Sequence, residues 1–123
     1  MLFSDIYTVI DLHKTTDLSF ENCVKLNKNH IIFSGHFPEN SITPGVLMLQ
    51  IIKNSLEKAL QCKLTLKTLS NLKFLQIVDP NKNSILHFQM DIKKENDVIK
   101  VKSSSSFPDR TLVLKCNATF VKK

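Results

Sequence analysis

One stretch of the chain, SGHFPENSITPGVLMLQ, concentrates the residues that restrict backbone geometry most strongly. It contains both glycines of the chain, Gly35 and Gly45, and two of its four prolines, Pro38 and Pro44. Glycine permits unusual backbone angles and the close approach of another group, whereas proline fixes φ. The stretch therefore predicts a tightly shaped loop that presents one histidine, His36.

A helix is predicted directly after this loop. Thr43 suits the N-cap and Pro44 suits the first helical position. The next turns are apolar on every side except at Gln50, with the residues Val46, Leu47, Met48, Leu49, Ile51 and Ile52. A helix that is apolar all round is typically buried. We therefore predict a central helix from Pro44 to about Leu60, in which polar residues face water only in the second half: Lys53, Asn54, Glu57 and Lys58.

Alternating polar and apolar residues predict strands on both sides of the helix. The predicted strands cover residues 5–12, 18–26, 64–66 continuing at 69–78, 84–92, 97–106 and 111–121. Turns are expected at residues 13–17, 79–83, 94–96 and 107–109. Within the third strand, Phe74 and Ile77 are candidates for the core, and the last strand places Leu112 on the same face as Leu114. Two strands, a helix and four strands predict a single domain over residues 1–123, with an antiparallel sheet wrapped around the helix.

Composition argues against several classes of protein. The net charge of +6 comes from lysines spread along the chain with a single arginine, Arg110, so nucleic acid is a poor candidate partner. No apolar run is long enough to span a membrane, and the N-terminus lacks the basic region of a signal peptide. Cys23, Cys62 and Cys116 form no CxxC pair, which favours free thiols in a cytoplasmic protein. No group of His, Cys, Asp or Glu has metal-ligand spacing, so no metal is predicted.

The residues GHFPENSITPGVLMLQ resemble the central motif of the 3-hydroxyacyl-acyl-carrier-protein dehydratases, whose pattern is roughly GHFPxxPxxPGVLxxE. Eight positions match: Gly35, His36, Phe37, Pro38, Pro44, Gly45, Val46 and Leu47. Ser41 replaces a family proline, and Gln50 replaces the acid that ends the motif. The resemblance implies an α+β hotdog fold. It also implies the cofactor-free conversion of a 3-hydroxyacyl thioester to the trans-2-enoyl thioester in fatty-acid or related acyl-chain synthesis.

The resemblance also implies roles for individual residues. His36 corresponds to the general base, and the backbone amide of Gly45 to the group that polarises the thioester carbonyl. In the family, a carboxyl group at the position of Gln50 protonates the departing hydroxyl, and it comes from the other subunit of a dimer. Residues around them become substrate-binding candidates: Gly35, Phe37, Pro38, Pro44 and Val46. A loop histidine that is merely hydrogen-bonded to backbone is the alternative for His36.

Gln50 leaves the activity open. An amide holds a hydroxyl or a water but has no proton to give near neutral pH, and loss of a general acid typically costs roughly 100- to 10,000-fold in rate. Glu57, the nearest acid along the helix, lies two turns or about 10 Å away. Three interpretations remain: a dehydratase, a catalytically silent hotdog subunit that binds acyl chains or supports an active partner, and an acyl thioesterase in which Gln50 positions water. The implied partners are acyl carrier protein and a second hotdog subunit, identical or different.

Overall fold

The computed structural model describes residues 6–30 and 45–123 of the chain. The elements in chain order are β1 (Tyr7–Thr16), β2 (Ser19–Leu26), α1 (Gly45–Leu60), β3 (Leu64–Phe74), β4 (Ile85–Glu95), β5 (Val98–Ser106) and β6 (Leu112–Lys122). This order of two strands, a helix and four strands confirms the prediction from the sequence. The helix ends at Leu60 because Gln61 adopts a left-handed φ of 54°.

The six described strands form one antiparallel sheet in the order β1-β2-β4-β5-β6-β3. Pairing of β2 with β4 joins the strands that precede α1 to those that follow it. After α1 the chain enters β3 at one edge of the sheet, while β1 forms the other edge. The helix contacts both edge strands, as expected for a sheet that curves around it.

The core lies between one side of α1 and the inner face of the sheet. The helix contributes five fully buried apolar residues: Leu47, Met48, Ile51, Ile52 and Leu56. Opposite them, every second residue of β2, β4 and β5 is buried, as the alternation in the sequence predicted. Within the described part of the chain, no helix is long and apolar enough to cross a bilayer.

The prediction that the first turns of α1 are buried on every side is wrong for the single chain. Val46 is 69% exposed, and Gln50, Lys53 and Asn54 are half-buried. Residues three and four apart lie on the same side of a helix, so these four residues mark one side, here called the open side of α1. One sheet covers only the side of the helix that faces it, and the open side faces away.

Two apolar residues predicted for the core are exposed, and so is a third that was predicted to share a face with Leu114. Phe74 is 51% and Ile77 70% exposed, because they lie at the end of edge strand β3 and in the segment after it. Leu112 is also exposed, because the pairing of β5 with β6 shifts register beside it at Ser105 and Ser106. These exposures depend on pairing and on the sheet edge, neither of which the alternation of residues reveals.

The first strand is longer than predicted. The segment expected as a turn, residues 13–17, continues β1 as far as Thr16, and His13 pairs with Glu21 across the hairpin. The His13 ring lies between two carboxylates, with Nδ1 2.8 Å from Asp11 Oδ2 and Nε2 3.1 Å from Glu21 Oε2. These contacts join side chains of the first two strands on the outer face of the sheet.

A buried polar pair connects the helix to the sheet. The Asn22 Nδ2 group on β2 donates to Ser55 Oγ at 2.6 Å, and the Ser55 hydroxyl donates to the carbonyl oxygen of Ile51 at 2.6 Å. Both side chains are almost fully removed from water. A buried polar group that loses its partner costs more than a hydrogen bond contributes, so the two residues are expected to depend on each other.

We predict that Ser55→Ala lowers the free energy of unfolding by about 1–3 kcal/mol, because the Asn22 amide loses its partner in the core. The variant Asn22→Val combined with Ser55→Ala removes both polar groups and is expected to recover much of that loss. Urea denaturation of the three proteins measures the effect. Equal stability of Ser55→Ala and the unmodified chain would contradict the prediction.

Candidate functional site

The described residues contain two of the three predicted catalytic positions. Gly45 begins α1, and Gln50 lies on its open side near Val46. The remaining candidates lie outside the described residues: Gly35, His36, Phe37, Pro38 and Pro44. The predicted approach of His36 to Gln50 of a second subunit therefore stays a prediction.

The amide of Gln50 belongs to a chain of three polar side chains. Gln50 Nε2 donates to Asn54 Oδ1 at 2.8 Å, and Asn54 Nδ2 donates to the hydroxyl oxygen of Tyr7 at 3.0 Å. All three side chains are half-buried. The sequence predicted that Asn54 faces water, whereas here it is half-buried and hydrogen-bonded, and it assigned no role to Tyr7. The four-residue spacing of Gln50 and Asn54 was a usable signal, but nothing in the sequence places Tyr7 of β1 against the helix.

An apolar groove lies beside Gln50, between α1 and the strands β3 and β6. Its volume is about 290 Å³, and its polar lining includes Gln50, Lys53 and Lys123. The apolar lining comes from all three elements: Val46, Leu49, Ile52, Leu64, Leu66, Leu69, Cys116, Ala118 and Phe120. An apolar groove whose lining includes a few polar groups suits a ligand that combines a hydrocarbon chain with a polar function.

A second cleft, on the outer face of the sheet, has a different chemistry. Its volume is about 430 Å³, and its lining includes His13, Glu21 and Arg110. Because charged and polar side chains of β1, β2 and β4 make up more of its lining, this cleft suits a hydrocarbon chain less well than the groove beside Gln50. The groove beside Gln50 is therefore the better candidate for an acyl site.

Gly45 is needed for close packing against an aromatic ring. A methyl group at this position would lie 2.8 Å from Cε1 of Phe74 and closer still to Cζ. Its φ is not in the left-handed region, so conformational freedom is not the reason for glycine here. In the structure the space beside Gly45 is occupied by the ring of Phe74.

Glu57 makes a structural hydrogen bond, and the buried Cys116 is not activated as a nucleophile. The backbone N–H of Leu64 donates to Glu57 Oε2 at 2.8 Å, so this acid bridges the connection from α1 to β3. The three cysteines are free, with Cys116 buried and the other two half-buried. Burial raises the pKa of the Cys116 thiol, which disfavours the nucleophilic thiolate. Among the described residues, no His, Cys, Asp and Glu side chains group to hold a metal ion.

A sequence profile described as "ApeI-like: ApeI dehydratase" matches residues 12–112. The chain belongs to this family of ApeI-like dehydratases. The curated relatives include the 3-hydroxyacyl-[acyl-carrier-protein] dehydratase FabZ of Rickettsia canadensis, 31% identical over 103 residues that cover 77% of this chain and 69% of the relative. The FabZ protein of Rickettsia felis is 29% identical over 103 residues, covering 77% and 68% of the two chains.

Solved structures similar to this chain include other members of the same fold. A chain of the dehydratase heterocomplex ApeI:P from Xenorhabdus doucetiae matches with a TM-score of 0.74 and 13% identity, over 93% of this chain and 96% of that one. A hypothetical thioesterase with coenzyme A from Streptococcus pneumoniae matches with a TM-score of 0.67 and 12% identity, over 95% and 85%. These likenesses show the fold, which is the hotdog fold that the motif implied.

Because Gly45 packs against Phe74, we predict that Gly45→Ala lowers the stability in the presence of that ring but not in its absence. Gly45→Ala places a methyl group against the ring and is expected to lower the free energy of unfolding by about 1–3 kcal/mol. When Phe74→Ala removes the ring, the same substitution is expected to be neutral or stabilising by up to about 1 kcal/mol, because alanine favours the helix over glycine. Urea denaturation of the four proteins measures both effects. An equal effect of Gly45→Ala in the two backgrounds would show that the ring does not constrain this position.

Proposed function

We propose that this chain acts on 3-hydroxyacyl thioesters carried by acyl carrier protein and interconverts them with trans-2-enoyl thioesters. The observation that carries the proposal is the position of Gln50, in the lining of an apolar groove on the open side of α1. Membership of a dehydratase family supports the reaction type. The acyl chain would occupy the groove, with its thioester end towards the start of the helix.

In the proposed reaction, His36 takes a proton from C2 and the N–H of Gly45 stabilises the negative charge on the thioester oxygen. The C3 hydroxyl leaves and, with one proton, becomes water. Gln50 holds that hydroxyl but does not protonate it, so a bound water supplies the proton. The C2 proton on His36 then neutralises the hydroxide that this water leaves, and no electrons are gained or lost overall. This route requires no cofactor.

The proposed site needs a second hotdog subunit. The open side of α1 and the edge strand β3 meet at one border of the molecule, where several apolar side chains are exposed: Val46, Leu66, Phe74, Leu75 and Ile77. An unpaired edge with apolar neighbours is a hazard for aggregation unless another strand or surface covers it. We propose that a second subunit, identical or different, pairs here and brings its His36 towards Gln50. The dehydratase heterocomplex ApeI:P from Xenorhabdus doucetiae, one chain of which shares this fold, supports a pairing of this kind.

We predict a dimer in light scattering at micromolar concentration, either of the chain alone or after mixing with the other hotdog proteins of the same organism. Ile77→Asp is expected to shift the population towards monomer, because it places a charge at the proposed interface. Ile10→Asp is the matched control, since Ile10 is also exposed but lies on the opposite edge strand, β1. A monomer under both conditions, or equal effects of the two substitutions, would refute the interface.

A second candidate function follows from the amide at position 50. Without a proton donor, the chain could bind acyl chains and complete a site in an active partner without turning over substrate in its own site. Thioester hydrolysis ranks third. It needs a carboxylate to activate water, and the nearest acid on the helix, Glu57, is engaged with the backbone of Leu64.

We predict that Gln50→Glu raises dehydratase turnover on 3-hydroxyacyl carrier protein by roughly tenfold or more, because it restores a general acid. Adding His36→Ala is expected to abolish the gain, since base and acid act on one substrate. Lys58→Glu is the control, because it adds a carboxylate to an exposed part of the same helix.

The outcomes separate the three candidates. A gain specific to Gln50→Glu supports a dehydratase site that lacks only its acid. No turnover in any variant, with acyl carrier protein still bound, supports the silent subunit and contradicts the dehydratase. Release of free carrier thiol by the unmodified chain supports hydrolysis.

A further inference from the structure

One side chain, Asn54, is hydrogen-bonded to the amide of Gln50, and a second, Tyr7, is hydrogen-bonded to Asn54. Asn54 accepts from Gln50 Nε2 at 2.8 Å, and Tyr7 accepts from Asn54 Nδ2 at 3.0 Å. Gln50 lines the groove, whereas Asn54 and Tyr7 do not. The glutamine therefore lies between the groove and a hydrogen-bonded pair that reaches back to the edge strand β1.

This arrangement restricts which atoms of the amide face a ligand. A free glutamine side chain rotates about several bonds and presents its oxygen and nitrogen with similar ease. With Nε2 engaged by Asn54, the carbonyl oxygen and one remaining N–H are the groups left for a hydroxyl or a water in the groove. The amide is thereby oriented before a ligand arrives, which is how binding groups are made effective.

Gln50, Asn54 and Tyr7 do not form a buried polar network of the kind that stabilises a protein core. They are half-buried, so water could satisfy Asn54 and Tyr7 without a partner. The link between β2 and α1 is instead made on the buried side of the helix, by Asn22 and Ser55. A phenylalanine at position 7 would fill the same space as the tyrosine, so the packing does not require the hydroxyl group.

We propose that Asn54 and Tyr7 are positioning residues that orient the amide of Gln50 towards a ligand in the groove. The effect of these residues on catalysis rests on the proposed function, whereas their effect on the orientation of the amide does not. A tyrosine hydroxyl can both donate and accept a hydrogen bond, and an asparagine amide can rotate by about 180° so that its oxygen and nitrogen exchange places. In the Gln50→Glu variant the same pair therefore reverses direction, so that Tyr7 donates to Asn54 and Asn54 donates to the new carboxylate.

The first test is a kinetic double-mutant cycle that starts from the unmodified chain or from its Gln50→Glu variant, whichever has the higher turnover. The two changes in the cycle are Tyr7→Phe and the replacement of residue 50 by methionine. Tyr7→Phe is expected to lower kcat at least fivefold and to change KM less than twofold. Once methionine has replaced the polar group at position 50, Tyr7→Phe is expected to cause no further loss. An equal loss in both backgrounds would show that Tyr7 does not act through position 50.

The second test does not require activity. In a ¹⁵N-labelled chain, Tyr7→Phe is expected to shift the side-chain amide signals of both Asn54 and Gln50. Ser55→Ala breaks a hydrogen bond on the buried side of the same helix and is expected to leave the Gln50 signal in place. A Gln50 signal unmoved by Tyr7→Phe overturns the inference. If no variant turns over substrate, the proposed function fails, while these spectra still decide whether Tyr7 and Asn54 orient the amide.

Discussion

In the part of the chain that the structure describes, the packing of one helix against one sheet determines which side chains are exposed. Five apolar residues of α1 are buried by the sheet, and this contact organises the core. The same contact leaves the other side of the helix uncovered, from Val46 to Asn54. Because the sheet of the described strands has two unpaired edges and covers only one side of the helix, the groove beside the helix stays open to solvent. The groove and Gln50 lie on the uncovered side, so the candidate site and the candidate interface are parts of one region.

The sequence predicted the fold well because its two main signals are local. Alternation within each strand and the capped, apolar start of the helix identified the elements and their order. The motif around His36 identified the hotdog family. The errors concern features that depend on distant parts of the chain. The exposure of Phe74 follows from the place of β3 at the edge, and the extension of β1 through His13 follows from its pairing with Glu21.

The candidate site was only partly predictable, for a similar reason. Gln50 and Gly45 were found because a motif with fixed spacing marks them. Tyr7 was missed because it lies 47 positions from Asn54 in the sequence, and only the folded chain brings the two together. The packing of Phe74 against Gly45 was not predicted, because that ring comes from β3. Spacing identifies residues that act within one element, whereas contacts between elements require the topology.

The central claim is that a site combines His36 of one subunit with position 50 of the other, and complementation between subunits tests it most directly. A chain carrying both His36→Ala and Gln50→Glu has the acid but lacks the base, whereas the unmodified chain has the base but lacks the acid. In a mixed dimer, one of the two sites receives both groups. Co-expression of the two chains is therefore predicted to give roughly a quarter of the turnover gained by Gln50→Glu, since about half of the dimers are mixed. Turnover no higher than that of the unmodified chain, with mixed dimers present, would contradict a shared site.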